Sequence, residues 1–176
     1  MKIGGIDPTT LPTEEFLVLP RGEETIVFRA IGVPNYDEFD AMCPEPTAPM
    51  INRAGQGWVP NLKEPGYTDM MKTYSARKMS WLVIKSLEPS DIEWDQVSLD
   101  DPSTWTEWDQ DFIKNGFTMV ECNRIQHLAF EANCLDEAKL EKAREAFLRG
   151  QEPIPKEYSG QSTEPETTPP GKPASE

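Results

Sequence analysis

The sequence predicts an α+β fold, mainly α: an N-terminal β-hairpin docked on a small helical bundle, with a disordered C-terminal tail. Three observations predict it. Two β-prone runs, Glu15–Leu19 and Thr25–Ile31, sit close together near the N-terminus. From Tyr67 to Arg149 the apolar residues recur at helical spacing, with very short connections between segments. After Gly150 the chain holds six prolines among Ser, Thr and Glu and has almost nothing to bury.

Residues 1–13 are rich in Gly, Pro and Thr and read as a flexible arm, and residues 14–150 as a single folded domain. In the hairpin over 15–31, Val18, Ile26, Val27, Phe28 and Ile31 favour the pleated state, and Pro20-Arg21-Gly22-Glu23-Glu24 supplies a longer Gly-containing connection. An isolated hairpin is marginal in water, so this one needs a surface to dock on. A short helix is expected over 35–43, with Asn35 as N-cap, Asp37 and Glu38 in the first turn, and Tyr36, Phe39 and Met42 at helical spacing. Pro44 and Pro46 stop it. Residues 44–66 then contain five prolines and three glycines and read as an irregular loop, functional or disordered in the free protein.

Tyr67, Met70, Met71, Tyr74, Trp81 and Ile84 share a stripe on a helix over about 67–87, although Trp81–Leu87 alone would also suit a buried strand. Pro89 closes that segment, and Ser90–Asp101 is an acidic connection anchored by Ile92 and Trp94. A helix over 103–115 follows, capped by Asp101 or Ser103, with Trp105, Trp108 and Phe112 on one face and Asn115-Gly116 as its stop. Thr118 and Glu121 form a capping-box pattern at the head of a helix over 118–133, whose buried face is Ile125, Leu128, Ala129 and Ala132. The last helix, 136–149, carries Leu140, Ala143 and Phe147 on one side. Residues 151–176 form the disordered, Pro-rich acidic tail.

Charge narrows the function. Asp and Glu number 31 against 17 Lys and Arg, a formal net charge of -14, which disfavours a nucleic acid or an anionic membrane surface as partner. The longest apolar run is Trp81–Ile84, far short of the roughly 20 residues that span a bilayer, and Met1–Pro8 lacks the apolar core of a signal peptide, so the chain is expected to remain where it is made. Cys43, Cys122 and Cys134 form an odd set without framework spacing and read as free thiols.

No reaction centre emerges. Cys122, His127 and Cys134 are zinc-binding types, but positions five apart lie about 140° apart on a helix and positions seven apart lie roughly 10 Å apart along it. His127 is the sole histidine, without a nucleophile in a recognisable context. Asp91, Glu93, Asp95, Asp100 and Asp101 lack the order of a calcium loop and read as a solvated connection. Arg53-Ala54-Gly55-Gln56-Gly57 lacks the Walker Lys, so its glycines read as turn punctuation. The chain is therefore read as non-enzymatic, without metal or cofactor. Its candidate partner-binding residues are Met70, Met71 and Tyr74, a soft surface alongside Met79 whose alternative role is core filling, together with Trp58, the tryptophan placed in the loop.

Several words of the chain carry a family resemblance. They are Leu17-Val18-Leu19-Pro20 with Ile26-Val27-Phe28-Arg29, Ile92-Glu93-Trp94-Asp95, Pro102-Ser103-Thr104-Trp105, Gly116-Phe117 before Glu121 and Arg124, Glu131-Ala132-Asn133 before Leu135-Asp136-Glu137, and Ala143-Arg144 before Phe147-Leu148. In this order, over about 14–150, the sequence resembles the tail assembly chaperones of long-tailed, siphovirus-like bacteriophages. The resemblance implies a non-enzymatic assembly factor of the host cytoplasm, absent from the mature virion. Such a factor binds the tape-measure protein, keeps it soluble and helps recruit tail-tube subunits. The 44–66 segment and the 151–176 tail depart from that pattern. The second reading of the same charge and size is an acidic phage-encoded inhibitor or DNA mimic acting on a host enzyme.

Overall fold

A computed structural model describes residues 1–10 and 14–150. The expected disordered tail, 151–176, lies outside the described residues, as do 11–13 of the arm. The chain divides into two compact units, 1–140 and 141–176, the second described as far as Gly150.

Strands β1 (Glu14–Arg21) and β2 (Glu24–Ile31) pair antiparallel, Leu17 opposite Phe28 and Val18 opposite Val27. The connection is tighter than the sequence predicts. Pro20 and Arg21 belong to β1, and the turn is Gly22-Glu23, with Gly22 at φ 64° as the first central position of a II′-type turn requires. Side chains alternate faces along each strand, so Leu19, Phe28 and Ala30 are buried while Phe16, Val18 and Val27 remain exposed on the other side.

Helix α1 (Asp37–Met42) begins one residue later than expected: Tyr36 is the N-cap, and Asn35 accepts the Asp37 N–H through Oδ1 at 3.2 Å instead. Its single buried side chain, Phe39, meets Tyr74, Trp81 and Trp105 with ring centroids 5.4, 5.7 and 5.9 Å away. The expected irregular loop contains a second hairpin, β3 (Met50–Arg53) paired with β4 (Gly57–Pro60). The glycines do punctuate a turn: Gly55 lies at φ 79° and Gly57 at φ 73°. Each strand has only four residues, too few to display a period of two, which is why the pairing escapes sequence patterning.

The long segment is helical throughout, as α2 (Pro65–Ser86). Pro65 occupies the first turn, where its missing N–H is no loss, and Glu64 accepts the Tyr67 N–H as the N-cap. Its last turns, from Ser80 to Ser86, together with the C-cap Leu87, are buried on nearly every side and form the central post of the core. A 3-10 turn at Glu88–Ser90 then lets Ser90 Oγ bond both the N–H and the carbonyl of Arg29, each at 2.7 Å, which blocks the free edge of β2.

Trp105 opens a 3-10 turn ahead of α3 (Trp108–Lys114). Helix α3 ends in a Schellman arrangement: the Phe117 N–H reaches the Phe112 carbonyl at 3.0 Å, the Gly116 N–H reaches Ile113 at 3.1 Å, and Gly116 adopts φ 87°. In α4 (Met119–Ala132) the capping box forms, with Thr118 and Glu121 bonding each other's backbone N–H at 3.3 and 2.8 Å. Cys122, Ile125, Leu128 and Ala129 are its buried face; Ala132 is half-buried. Helix α5 (Glu137–Gly150) includes Gly150 rather than stopping before it, and Leu140 and Phe147 are exposed. Among the described residues no helix is long and apolar enough to cross a membrane.

Candidate functional site

The four residues singled out from sequence do not fall on one surface. Helical geometry puts Tyr67, Met71, Tyr74, Lys78 and Trp81 along one line of α2, with Met70 about 40° from Tyr74. Met71 is half-buried against the core, and Tyr74 is buried, its ring against Phe39. Met70 is half-exposed. Trp58, on β4, is 67% exposed and stands apart from the groove that Met70 and Tyr74 share.

That groove, about 420 Å³, lies between the first half of α2 and the connection after α1. Met70, Tyr74, Pro44, Pro46 and Cys43 supply its apolar surface, with Asp69 and Arg77 also lining it. Asp69 is bonded to Lys72 at 3.0 Å. Burial pushes the Tyr74 hydroxyl above its ordinary pKa, and Asp40 and Glu45 add to the effect, so Tyr74 is a neutral wall of the groove. Lys78 is stacked 4.4 Å over the Tyr36 ring and is thereby held against the core. Met79, the fourth member of the soft surface, lines a different groove of about 310 Å³ with Tyr36, Leu82 and Leu135.

The metal-type residues are dispersed. Cys122 is buried with Sγ 3.7 Å from the Asp109 carbonyl, whereas His127 and Cys134 are exposed. Burial raises the Cys122 thiol above its usual range, so it stays protonated at neutral pH. Among the described residues no three His, Cys, Asp or Glu side chains are placed to hold a metal ion.

Comparison with known proteins adds no relative: no family model, no curated protein and no solved structure matches the chain.

Two features went unmarked in the sequence. Pro44 and Pro46 signalled only a helix stop, yet they also form one wall of the Met70 groove. The acidic connection before α3 exposes Asp91, Glu93, Asp95, Asp100 and Asp101 as expected, but its backbone is tied down at one point. Asp111, only 3% exposed, accepts the backbone N–H groups of Asp95, Gln96 and Val97 through Oδ2 at 3.0, 2.9 and 3.4 Å. The cavity beside it, and another of about 190 Å³ lined by Trp81, Ile84, Leu87, Ile92, Trp94 and Leu99 with Glu38, Glu88 and Asp91 at its margin, share the Ile92–Trp94 wall.

Proposed function

We propose that this protein is a non-enzymatic phage tail assembly chaperone that holds an apolar-faced helix of the tape-measure protein and helps recruit tail-tube subunits, in the host cytoplasm and outside the mature virion. The observation that carries the reading is the Met70 groove. It is apolar and open on a chain of net charge -14. An amphipathic helix buries its apolar side in such a groove while its Lys and Arg face the surrounding acids. Methionine suits this role because its flexible side chain repacks against varied surfaces. The resemblance over about 14–150 supplies the partner's identity.

Co-expression with a tape-measure protein from the same genome tests the proposal. The expected result is a larger soluble fraction of that protein and a complex that survives size-exclusion chromatography. Met70→Glu should weaken the complex without lowering the melting temperature, because Met70 is half-exposed. A tape-measure protein that stays insoluble beside folded chaperone would sink the reading. Capture of a host DNA-binding enzyme instead would promote the acidic-inhibitor alternative.

A further inference from the structure

The β3–β4 hairpin is open to solvent on both faces: of its eight paired residues only Val59 is half-buried. Met50 and Trp58 share one face of its pleat and are 53% and 67% exposed, and Leu62, just beyond β4, is exposed as well. A two-stranded hairpin this short is marginal in water unless something packs on it. Its charge also departs from that of the whole chain. Residues 46–63 hold Arg53 and Lys63 and no acid, within a sequence of net charge -14. Neither base is in an ion pair among the described residues.

The same chain carries a surface of the opposite character. The cavity of about 190 Å³ at the C-terminal end of α2 has Trp81, Ile84, Trp94 and Leu99 among its apolar walls, with Glu38, Glu88 and Asp91 also lining it. Lys85 bridges Glu38 and Glu88 at 3.0 and 3.3 Å, so three acids and one lysine leave the lining with a net charge of -2. Asp91 is in no ion pair among the described residues. The hairpin of the same copy does not fill this cavity, since none of its residues is in the lining. It ends ahead of Pro65, whereas the cavity belongs to the far end of α2, a helix of 22 residues and so about 33 Å long.

We propose that the β3–β4 hairpin of one copy docks on this cavity of a second copy, with the Trp58 indole as the inserted group. Size, lining and charge converge on that pairing. The cavity is smaller than the roughly 300 Å³ at which drug-sized ligand sites begin, so it suits one large side chain. An indole gains from ring contacts with Trp81 and Trp94, and tryptophan seated in an apolar pocket is the kind of anchor that dominates interface energies. Arg53 and Lys63 then come to the acids of the lining, a complementarity that orients the approach. The contact joins two different surfaces, so every copy offers one hairpin and one cavity. A hairpin of this size buries less than the roughly 1,200 Å² of a standard interface, which makes the association weak and reversible. The proposal does not depend on the Met70 groove or on any other partner.

The test is sedimentation equilibrium of the full chain over rising concentration, with two variants. The weight-average mass of the wild type should climb with concentration, and climb less at high salt. Trp58→Ser removes the inserted group, whereas Leu99→Arg obstructs the cavity and sets a like charge opposite Arg53. Both positions are exposed, at 67% and 57%, so each variant should keep the wild-type melting temperature. Each should weaken self-association by roughly tenfold or more, as loss of an interface anchor does. An equimolar mixture of the two variants should associate again but stop at pairs, because one copy keeps a working hairpin and the other a working cavity. A wild-type chain that stays monomeric at the highest concentration, a Trp58→Ser variant that associates like wild type, or a mixture that fails to pair would each overturn the proposal.

Discussion

Asn133 donates through Nδ2 to Ser86 Oγ at 2.7 Å, joining the C-terminal end of α4 to the last turn of α2. The same side chain accepts the Val33 N–H through Oδ1 at 2.8 Å and donates to the Ala129 carbonyl at 2.7 Å. Three elements, α2, α4 and the exit from β2, therefore meet at one amide. Gly32 lies against this junction, where a Cβ would fall 2.9 Å from the Ala132 carbonyl oxygen.

Replacing Asn133 by Ala should destabilise the fold by roughly 2 to 3 kcal/mol, because it strips partners from the Val33 N–H and from the fully buried Ser86 hydroxyl at once. Urea denaturation of Asn133→Ala, Ser86→Ala and the double variant should show the double change costing less than the sum. Additive losses would mean that the two side chains act independently.

Trp105 is fully buried, and its Nε1 donates to the Ser98 carbonyl at 3.0 Å. Trp105→Ala should cost about 3 to 5 kcal/mol through the cavity it leaves. Trp105→Phe keeps much of the packing but removes the indole bond, leaving the Ser98 carbonyl only the Thr104 Oγ1 and Asp101 N–H donors, each at 3.2 Å, and should fall between Ala and wild type. A near-neutral Ala variant in thermal or urea melts would contradict its place in the core.

Arg21 on β1 is paired with Glu121 in the first turn of α4 and, with the Thr118 backbone N–H, holds the Glu121 carboxyl down at about 2. A depressed carboxyl pKa stabilises the fold above the unfolded value of 4.5 and loses that contribution as pH falls toward 2. Glu121→Gln should therefore lower the melting temperature at neutral pH and reduce its dependence on pH below 4.5. An unchanged acid limb would mean that other carboxylates dominate it.

Local signals explain which parts of this fold were legible. The capping box of Thr118 and Glu121 and the stop at Asn115-Gly116 depend on residues three or four positions apart, and both form where the sequence places them. The burial of Trp81 and Trp108 follows from helical register, whereas Trp105 is buried from a 3-10 turn ahead of α3. Met70 and Met71 were harder: adjacent residues point about 100° apart on a helix, and only the packed neighbours decide which one faces the core. Asp111 was invisible because its partners lie 14 to 16 residues away in a connection without periodicity. The β3–β4 hairpin was hidden by its short strands and by two prolines, Pro49 just before β3 and Pro60 at the end of β4.

The end of α4 offers a stabilising substitution. The Leu135 N–H reaches the Phe130 carbonyl at 2.9 Å and the Cys134 N–H reaches Glu131 at 3.1 Å, the same Schellman pattern that Gly116 serves in α3. Here the left-handed position is held by Cys134, at φ 55°, a conformation that costs a residue with a Cβ roughly 1 to 2 kcal/mol. Cys134 is exposed and free, so its side chain contributes no core packing. Cys134→Gly should raise stability by about 0.5 to 1 kcal/mol, since relief of the strained backbone exceeds the added entropy of a glycine in the unfolded chain. Cys134→Val, β-branched at the same angle, should lower it. Urea midpoints for the two variants on opposite sides of wild type would bear this out, whereas a Gly variant no more stable than the Val one would show that the cap does not strain residue 134.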